Sequence, residues 1–231
     1  MSGKIVSIQI GKVKSYGDKD SKDFLDKQWE SGSFKEIVDT QVWAGKVGFI
    51  GDEVADRVHH GGEEKAIFAN SYENYESWAK FLGLKTIPFG ALAENLTISG
   101  SHESSVCLGD IHKIGSAVLQ VSQPRKPCWK ISKRWNNKKF TNEIYTSGLT
   151  GWYYRVLEEG FIEAGDKVEV LLHDEAKVSI LDANRAFANP SKYRELLEKI
   201  ANISSIAPSY KTSIEKRISG DFSLEYMKVD Y

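Results

Sequence analysis

Strand-like runs separated by glycine turns fill the first 175 residues and then stop. That change of pattern limits the fold more than any other feature of the chain. Lys4 to Val13 alternates around Ile5, Val6, Ile8 and Ile10, the period of a half-buried strand. Ile37 to Val47 predicts one or two more strands, and Asn95–Ile98, Ile111–Ile114, Val118–Ser122 and Lys167–Leu172 predict others. Most are bounded by turns such as Gly51-Asp52, Ser99-Gly100, Gly109-Asp110 and Gly165-Asp166, where glycine supplies conformations other residues avoid. Two helices are expected among them. Ser71 to Leu82 sets Tyr72, Tyr75, Trp78, Ala79 and Leu82 on one face, with Ser71 as N-cap. Thr150 to Glu159 follows Gly148 and stops at Gly160, read as a C-terminal signal. Many short strands with few helices predict a closed barrel, mainly β with α, rather than alternating βαβ units.

From Lys177 onward the strand pattern is gone. Val178–Phe187, Ser191–Ala201 and Ser205–Ser219 predict three short helices, punctuated by Asn189-Pro190 and Ala207-Pro208, with the second proline suited to a first helical turn. The expected organisation is a barrel domain over 1–175 and a small three-helix appendage over 176–231.

Composition narrows the function. A hydrophobic content of 41% with six tryptophans supports a real core, and a net charge of −1 gives no bulk basic field to draw nucleic acid or an anionic membrane. The amino terminus carries no leader-like apolar segment, and no run reaches the length that spans a bilayer. A cytoplasmic protein without nucleic-acid or membrane partners is expected. The two cysteines, Cys107 and Cys128, form no CxxC and no zinc spacing. Patterns for nucleotide loops, zinc proteases and serine hydrolases are missing.

The chemistry concentrates in Ser122-Gln123-Pro124-Arg125-Lys126-Pro127-Cys128-Trp129-Lys130. Two prolines stiffen the segment and remove backbone donors. Arg125, Lys126 and Lys130 surround Cys128, and positive charge favours the thiolate that attacks electrophiles or ligates soft metals. The plainer reading is a buried, inert cysteine, the one assigned to Cys107. A second segment, His59-His60-Gly61-Gly62-Glu63-Glu64-Lys65, offers two histidines, a lysine and close backbone approach for an anion, or simply a glycine turn. Adjacent histidines on one extended segment point to opposite faces and do not share a metal. Glu94-Asn95-Leu96 opens a strand with a carboxylate and an amide, and Gly151-Trp152-Tyr153-Tyr154-Arg155 is mostly core by prior expectation.

Taken in order, Gly51-Asp52-Glu53, His60-Gly61-Gly62, Glu94-Asn95-Leu96, Gly109-Asp110, Ser122 to Cys128 and Gly151-Trp152 through Gly160 resemble the MOSC family. That domain is named for the C-terminal part of molybdenum cofactor sulfurases, and the likeness is to its small stand-alone, YiiM-like bacterial branch. The resemblance implies a MOSC-type β-barrel and a molybdenum–pterin cofactor whose metal is ligated by Cys128. It makes Arg125, Lys126, Lys65, Gly61, Gly62 and Asn95 candidates for holding phosphate and pterin. The activity implied is reduction of N-hydroxylated purines and amidoximes, with His60 or His59 as proton donor and Trp129 or Trp152 available to stack on a planar base. Electrons would come from a separate reductase or ferredoxin. A persulfide on Cys128, serving sulfur transfer, is the alternative chemistry. The chain departs from the branch at Ala69-Asn70-Ser71, where relatives often carry histidine and a Tyr-Pro pair.

Overall fold

A strand-rich chain leaves unpaired edges unless the sheet closes on itself, and here it closes. The structure is a computed structural model that describes residues 3–228. β1 (Gly3–Ile10) is followed by β2 (Lys14–Tyr16) and β3 (Trp29–Ser31), a hairpin that forms a separate arm. Next come β4 (Glu36–Ile37), β5 (Val42–Gly45), β6 (Gly48–Phe49) and the short helix α1 (Arg57–His60). β7 (Ile67–Ser71) leads through α2 (Tyr75–Phe81) to β8 (Leu96–Ser99), and then to β9 (Ile111–Ile114) and β10 (Ala117–Pro124). Helices α3 (Trp129–Arg134) and α4 (Phe140–Ser147) precede β11 (Trp152–Glu158), β12 (Gly160–Ile162) and β13 (Lys167–Leu172). The chain then runs into α5 (Ile180–Ala188), α6 (Arg194–Ala201) and α7 (Pro208–Ser219).

The barrel runs β1-β13-β9-β10-β11-β7-β8 and returns to β1. β7 and β8 pair in parallel, which requires a crossover, and the segment carrying α2 supplies it. β12, β5 and β6 make a small accessory sheet. Ile5, Ile8, Ile67, Leu96, Leu119, Val121 and Tyr154 fill the interior.

The expected helix over Thr150–Glu159 is instead strand β11, paired with β10 and β7. Trp152, Tyr153 and Tyr154 are buried on consecutive positions, because the strand is covered on both faces and loses its alternation. Gly148 does not introduce a helix but ends α4 in the left-handed conformation. Gly151, at φ +70°, lets the backbone pass Ala69; a Cβ there would stand 2.3 Å from the Ala69 carbonyl. The helix expected from Ser71 starts there as a 3-10 turn, Tyr72–Asn74, and continues as α2 from Tyr75; Ser71 holds the N-cap position, but its hydroxyl donates to Glu73 Oε2 at 2.5 Å rather than accepting a capping bond.

The three C-terminal helices form where the prolines and caps predict them. Ser179 Oγ accepts from the Asp182 amide at 3.0 Å, and Pro208 occupies the first turn of α7. They enclose no core of their own. Ile180, Ala183, Phe187, Leu197, Ile200 and Ile214 join the same buried cluster as Leu119 and Val121 of the barrel. Backbone bonds stitch the two together: Leu108 to Val178 at 2.9 Å, Ile180 to Val106 at 2.9 Å and Ala207 to Ser122 at 3.0 Å. The helices extend the barrel rather than dock beside it. Cys107 lies at this seam as a free thiol, and burial, then Asp110, pushes its pKa up to about 11.

His112 on β9 is buried, with Nδ1 2.7 Å from the Tyr154 hydroxyl. Burial holds its pKa down at about 4, with Asp110 opposing only in part. The unfolded chain takes up a proton at this histidine below about 6.5, so between pH 6.5 and 4 it binds more protons than the folded protein. Stability therefore falls as pH drops through that window, by up to ~3 kcal/mol from this group. Urea denaturation from pH 7 to 4 should show the decline, and His112→Gln should make it shallower without abolishing it, because burial also holds the His60 pKa down at about 4.

Candidate functional site

Asp52, in the turn after β6, organises one end of an open cleft beside the barrel. Its Oδ1 accepts from the Gly11 amide at 2.7 Å and from the Lys35 ammonium, and its Oδ2 accepts from Asn95 Nδ2 at 2.8 Å. Asn95 also donates to the Gln9 carbonyl at 3.2 Å and accepts from the Phe68 amide at 3.1 Å. Its amide is thus committed to protein partners. Expected as a pterin contact, Asn95 lines the cleft but acts by holding Asp52. Its neighbour Glu94 is fully buried and takes the Gly90 and Leu92 amides at 3.0 and 2.8 Å, together with the Tyr75 hydroxyl. Burial and that carboxylate raise the Tyr75 pKa.

The other end carries the thiol. β10 finishes at Pro124, the Arg125 amide bonds the Gly151 carbonyl at 3.1 Å, and Cys128 caps the start of α3, half-buried. The Cys128 carbonyl accepts from the Ile131 amide and the Thr141 hydroxyl, each at 3.1 Å. Arg125 is 6% exposed, with its guanidinium 5.3 Å from the Phe68 ring and its Nη1 without a partner. Cys128, Arg125, His60, Lys65 and Lys130 all line the cleft. The Ser122 hydroxyl donates to the Glu64 carbonyl at 2.6 Å, and Arg155 pairs with the Glu64 carboxylate. These contacts hold the histidine–glycine loop against the cysteine strand.

His60 is neutral at physiological pH. Burial first, then Arg125, Lys130 and Lys65, lowers its pKa to about 4, and Asp56 offsets only part of this. At neutral pH this favours the uncharged imidazole, which can donate one hydrogen bond and accept another in the cleft. His59 turns outward, exposed, with Nδ1 2.8 Å from Asp56 Oδ2, and does not line the cleft. Lys65 does, its ammonium bonded to the His59 carbonyl at 2.7 Å and its pKa lowered by burial. Gly61 and Gly62 shape the loop without forming the cleft wall: a Cβ on Gly61 would lie 3.0 Å from the Arg57 carbonyl, and Gly62 sits at φ +91°.

Lys126 points elsewhere. Its ammonium donates to Ser213 Oγ at 2.5 Å and lies 5.1 Å from the Phe187 ring, in the seam with the C-terminal helices. Burial, then Lys65 and Arg217, pushes its pKa down to about 8. Trp152 belongs to the barrel core, and Trp129 packs against Phe24 and Trp29. Ala69, Asn70 and Ser71 are buried away from the cleft, with Asn70 Oδ1 accepting from Asn74 at 3.2 Å. None of the three lines the cleft.

Three residues escaped sequence reasoning. Lys35 follows an unremarkable aromatic in the arm and carries no motif. Tyr153 lines the cleft although its place in an aromatic run marked it as core, and Asp52 entered only as a turn residue and as part of the Gly51-Asp52-Glu53 match, with no role assigned. The arm forms one wall through Ser31, Gly32 and Ser33, and α3 clasps it. Lys130 donates to the Glu30 carbonyl at 3.1 Å, Lys133 to the Lys27 carbonyl at 2.5 Å, and Arg134 to the Ser33 carbonyl. The cleft is open to solvent, with a cavity volume of about 120 Å³ at its floor. Among the described residues no group of three or more histidine, cysteine or carboxylate side chains gathers for a metal.

This arrangement meets its relatives in the comparisons. The MOSC domain profile matches residues 56–169, from the histidine–glycine loop through the cysteine motif. The uncharacterized protein YflK of Bacillus subtilis is 34% identical over 92% of this chain and 93% of its own. The chain belongs to the MOSC family. A crystal structure of YiiM from Geobacillus stearothermophilus superposes with a TM-score of 0.77 at 30% identity, covering 94% of this chain and 99% of that one. The chain is thus YiiM-like over nearly its whole length. A Gibberella moniliformis protein named a reductase is 31% identical over 79% of the chain, which spans only 32% of that protein. Among the described residues no helix is long and apolar enough to cross a membrane.

Asn95→Ala strips three hydrogen bonds from buried partners, one of them a carboxylate. A cost of ~3 kcal/mol is expected, read as a lowered urea midpoint in the protein without ligand, an effect that loss of a ligand contact alone would not produce.

Proposed function

We propose that this chain is a molybdenum-cofactor-dependent oxidoreductase that reduces N-hydroxylated compounds, such as hydroxylaminopurines and amidoximes, to amines and amidines. One observation carries the reading: a nearly buried guanidinium, Arg125, with an unpartnered Nη1, stands in the same cleft as the Cys128 thiol. An orphaned buried donor costs about 1–3 kcal/mol, which an anionic ligand would offset, and guanidinium suits phosphate. Thiolate suits a soft or high-valent metal. The residues present therefore fit the cofactor that the family implies, and the reductase-named relative supports the redox class.

In this reading Cys128 holds the metal, Arg125 takes the phosphate, and Lys65 and Lys130 add positive charge at the same end. When bound, the cofactor supplies the two-electron couple for N–O cleavage. The overall change takes two electrons and two protons, breaks the N–O bond, and yields the N–H product and one water. His60, neutral above pH about 4, orients a polar group of the ligand by hydrogen bonding. The Phe68 and Ile131 side chains give the cleft apolar walls. A separate flavin or iron–sulfur reductase, or a ferredoxin, delivers the electrons.

Expression in a host that makes the cofactor, followed by assay of molybdenum and released pterin, tests the proposal. Near-stoichiometric molybdenum and pterin are expected in the parent, with molybdenum lost in Cys128→Ala and pterin retention reduced at least tenfold in Arg125→Met. Reduction of an amidoxime with a chemical electron donor should follow the molybdenum content. Absence of both in the parent, with cyanide-labile sulfur on Cys128, would overturn it in favour of sulfur transfer.

A further inference from the structure

Lys35 has no part in the reading above, yet its setting is that of a ligand contact. Its side chain is 6% exposed, lines the cleft and forms one hydrogen bond, to Asp52. An ammonium has three donors, so two remain without partners among the described residues. Asp52 takes only one of the three, through the Oδ1 that also accepts from Gly11, while its Oδ2 accepts from Asn95. Burial has lowered the pKa of Lys35 against the opposing pull of Asp52, as expected of an incompletely satisfied cation.

Charge also differs between the two ends of the cleft. Lys35 and Asp52 offset each other, whereas Arg125, Lys65 and Lys130 gather beside His60. A phosphate placed at Lys35 would face the Asp52 carboxylate at close range and be repelled. A neutral acceptor would take the free donors without that repulsion. Phe49, Val54, Phe68 and Ile131 line the same cleft, apolar walls suited to a flat ring.

We propose that Lys35 is a ligand-binding residue that donates to the ring carbonyl of a fused, oxo-bearing nitrogen heterocycle whose charged end lies at Arg125. Asp52 and Asn95 are its positioning residues. The inference rests on the cleft being a heterocycle site, and the lactam carbonyl it recognises is shared by a pterin and by an oxopurine.

Titration of the purified chain with three probes separates these cases: 6-carboxypterin, its 2,4-diamino analogue in which an amine replaces the carbonyl, and inosine 5′-monophosphate. The parent should bind 6-carboxypterin about tenfold more tightly than the diamino analogue. Lys35→Met should lose that preference along with about tenfold in affinity. Arg125→Met should weaken both pteridines alike. Because Lys35→Met strands Asp52, the double variant Lys35→Met/Asp52→Asn, which removes both charges, is titrated beside it and should behave the same way. Lys35-dependent binding of inosine 5′-monophosphate alone would keep the carbonyl contact and assign it to substrate rather than cofactor. Parent-like affinity and preference in both Lys35 variants would overturn the inference while leaving the pterin reading intact. Failure of the parent to bind any probe would overturn both.

Discussion

The cleft depends on one carboxylate. Asp52 gathers the backbone just beyond β1, the lysine that ends the arm and the amide that precedes β8. Hydrogen bonds to a buried carboxylate are stronger than neutral ones, and leaving such a group unpaired is costly. Three stretches of chain distant in sequence are thereby held in one arrangement. Asn95 supplies the rigidity on the barrel side, because it also bridges β1 and β7 through Gln9 and Phe68. The arm wall, the barrel rim and the cleft floor thus meet at this carboxylate.

At the opposite end, charge rather than pairing sets the chemistry. Burial first, and then Arg125, Lys130 and Lys65, holds the His60 imidazole neutral. Lys126, one residue from Arg125, is spent on the seam with the C-terminal helices. Successive residues after β10 therefore serve different purposes: one faces the ligand site and the next fastens the appendage. Since the helices share the barrel's buried cluster, that fastening continues the core outward.

Much of this was legible before the fold was known. β1, β8, β9 and β13 alternate visibly or sit between glycine turns, and α5 and α7 carry their caps and proline in plain sight. β11 was not legible, because burial on both faces removes the alternation that marks a strand and leaves an aromatic run that reads equally as helix. The cysteine and Arg125 were legible because motif chemistry lies contiguous in sequence. The role of Asn95 and the presence of Lys35 were not, since both are defined by Asp52, which the fold brings to them. His60 was recognisable as a site residue, but its protonation depends on burial and on cations from two other segments, neither of which a local pattern records.

The clasp between α3 and the arm has a consequence for how this wall tolerates change. Lys130, Lys133 and Arg134 all grip main-chain carbonyls, groups that every residue type presents. The grip therefore reads the path of the arm, while Trp129 packs on Phe24 and Trp29 and Arg134 lies over Phe34. Substitutions away from these aromatics leave the main-chain bonds in place, whereas an insertion or deletion of a single residue carries the carbonyls out of register. Length and a few aromatic anchors set this wall, so its remaining faces are free to diversify while the thiol stays where it is.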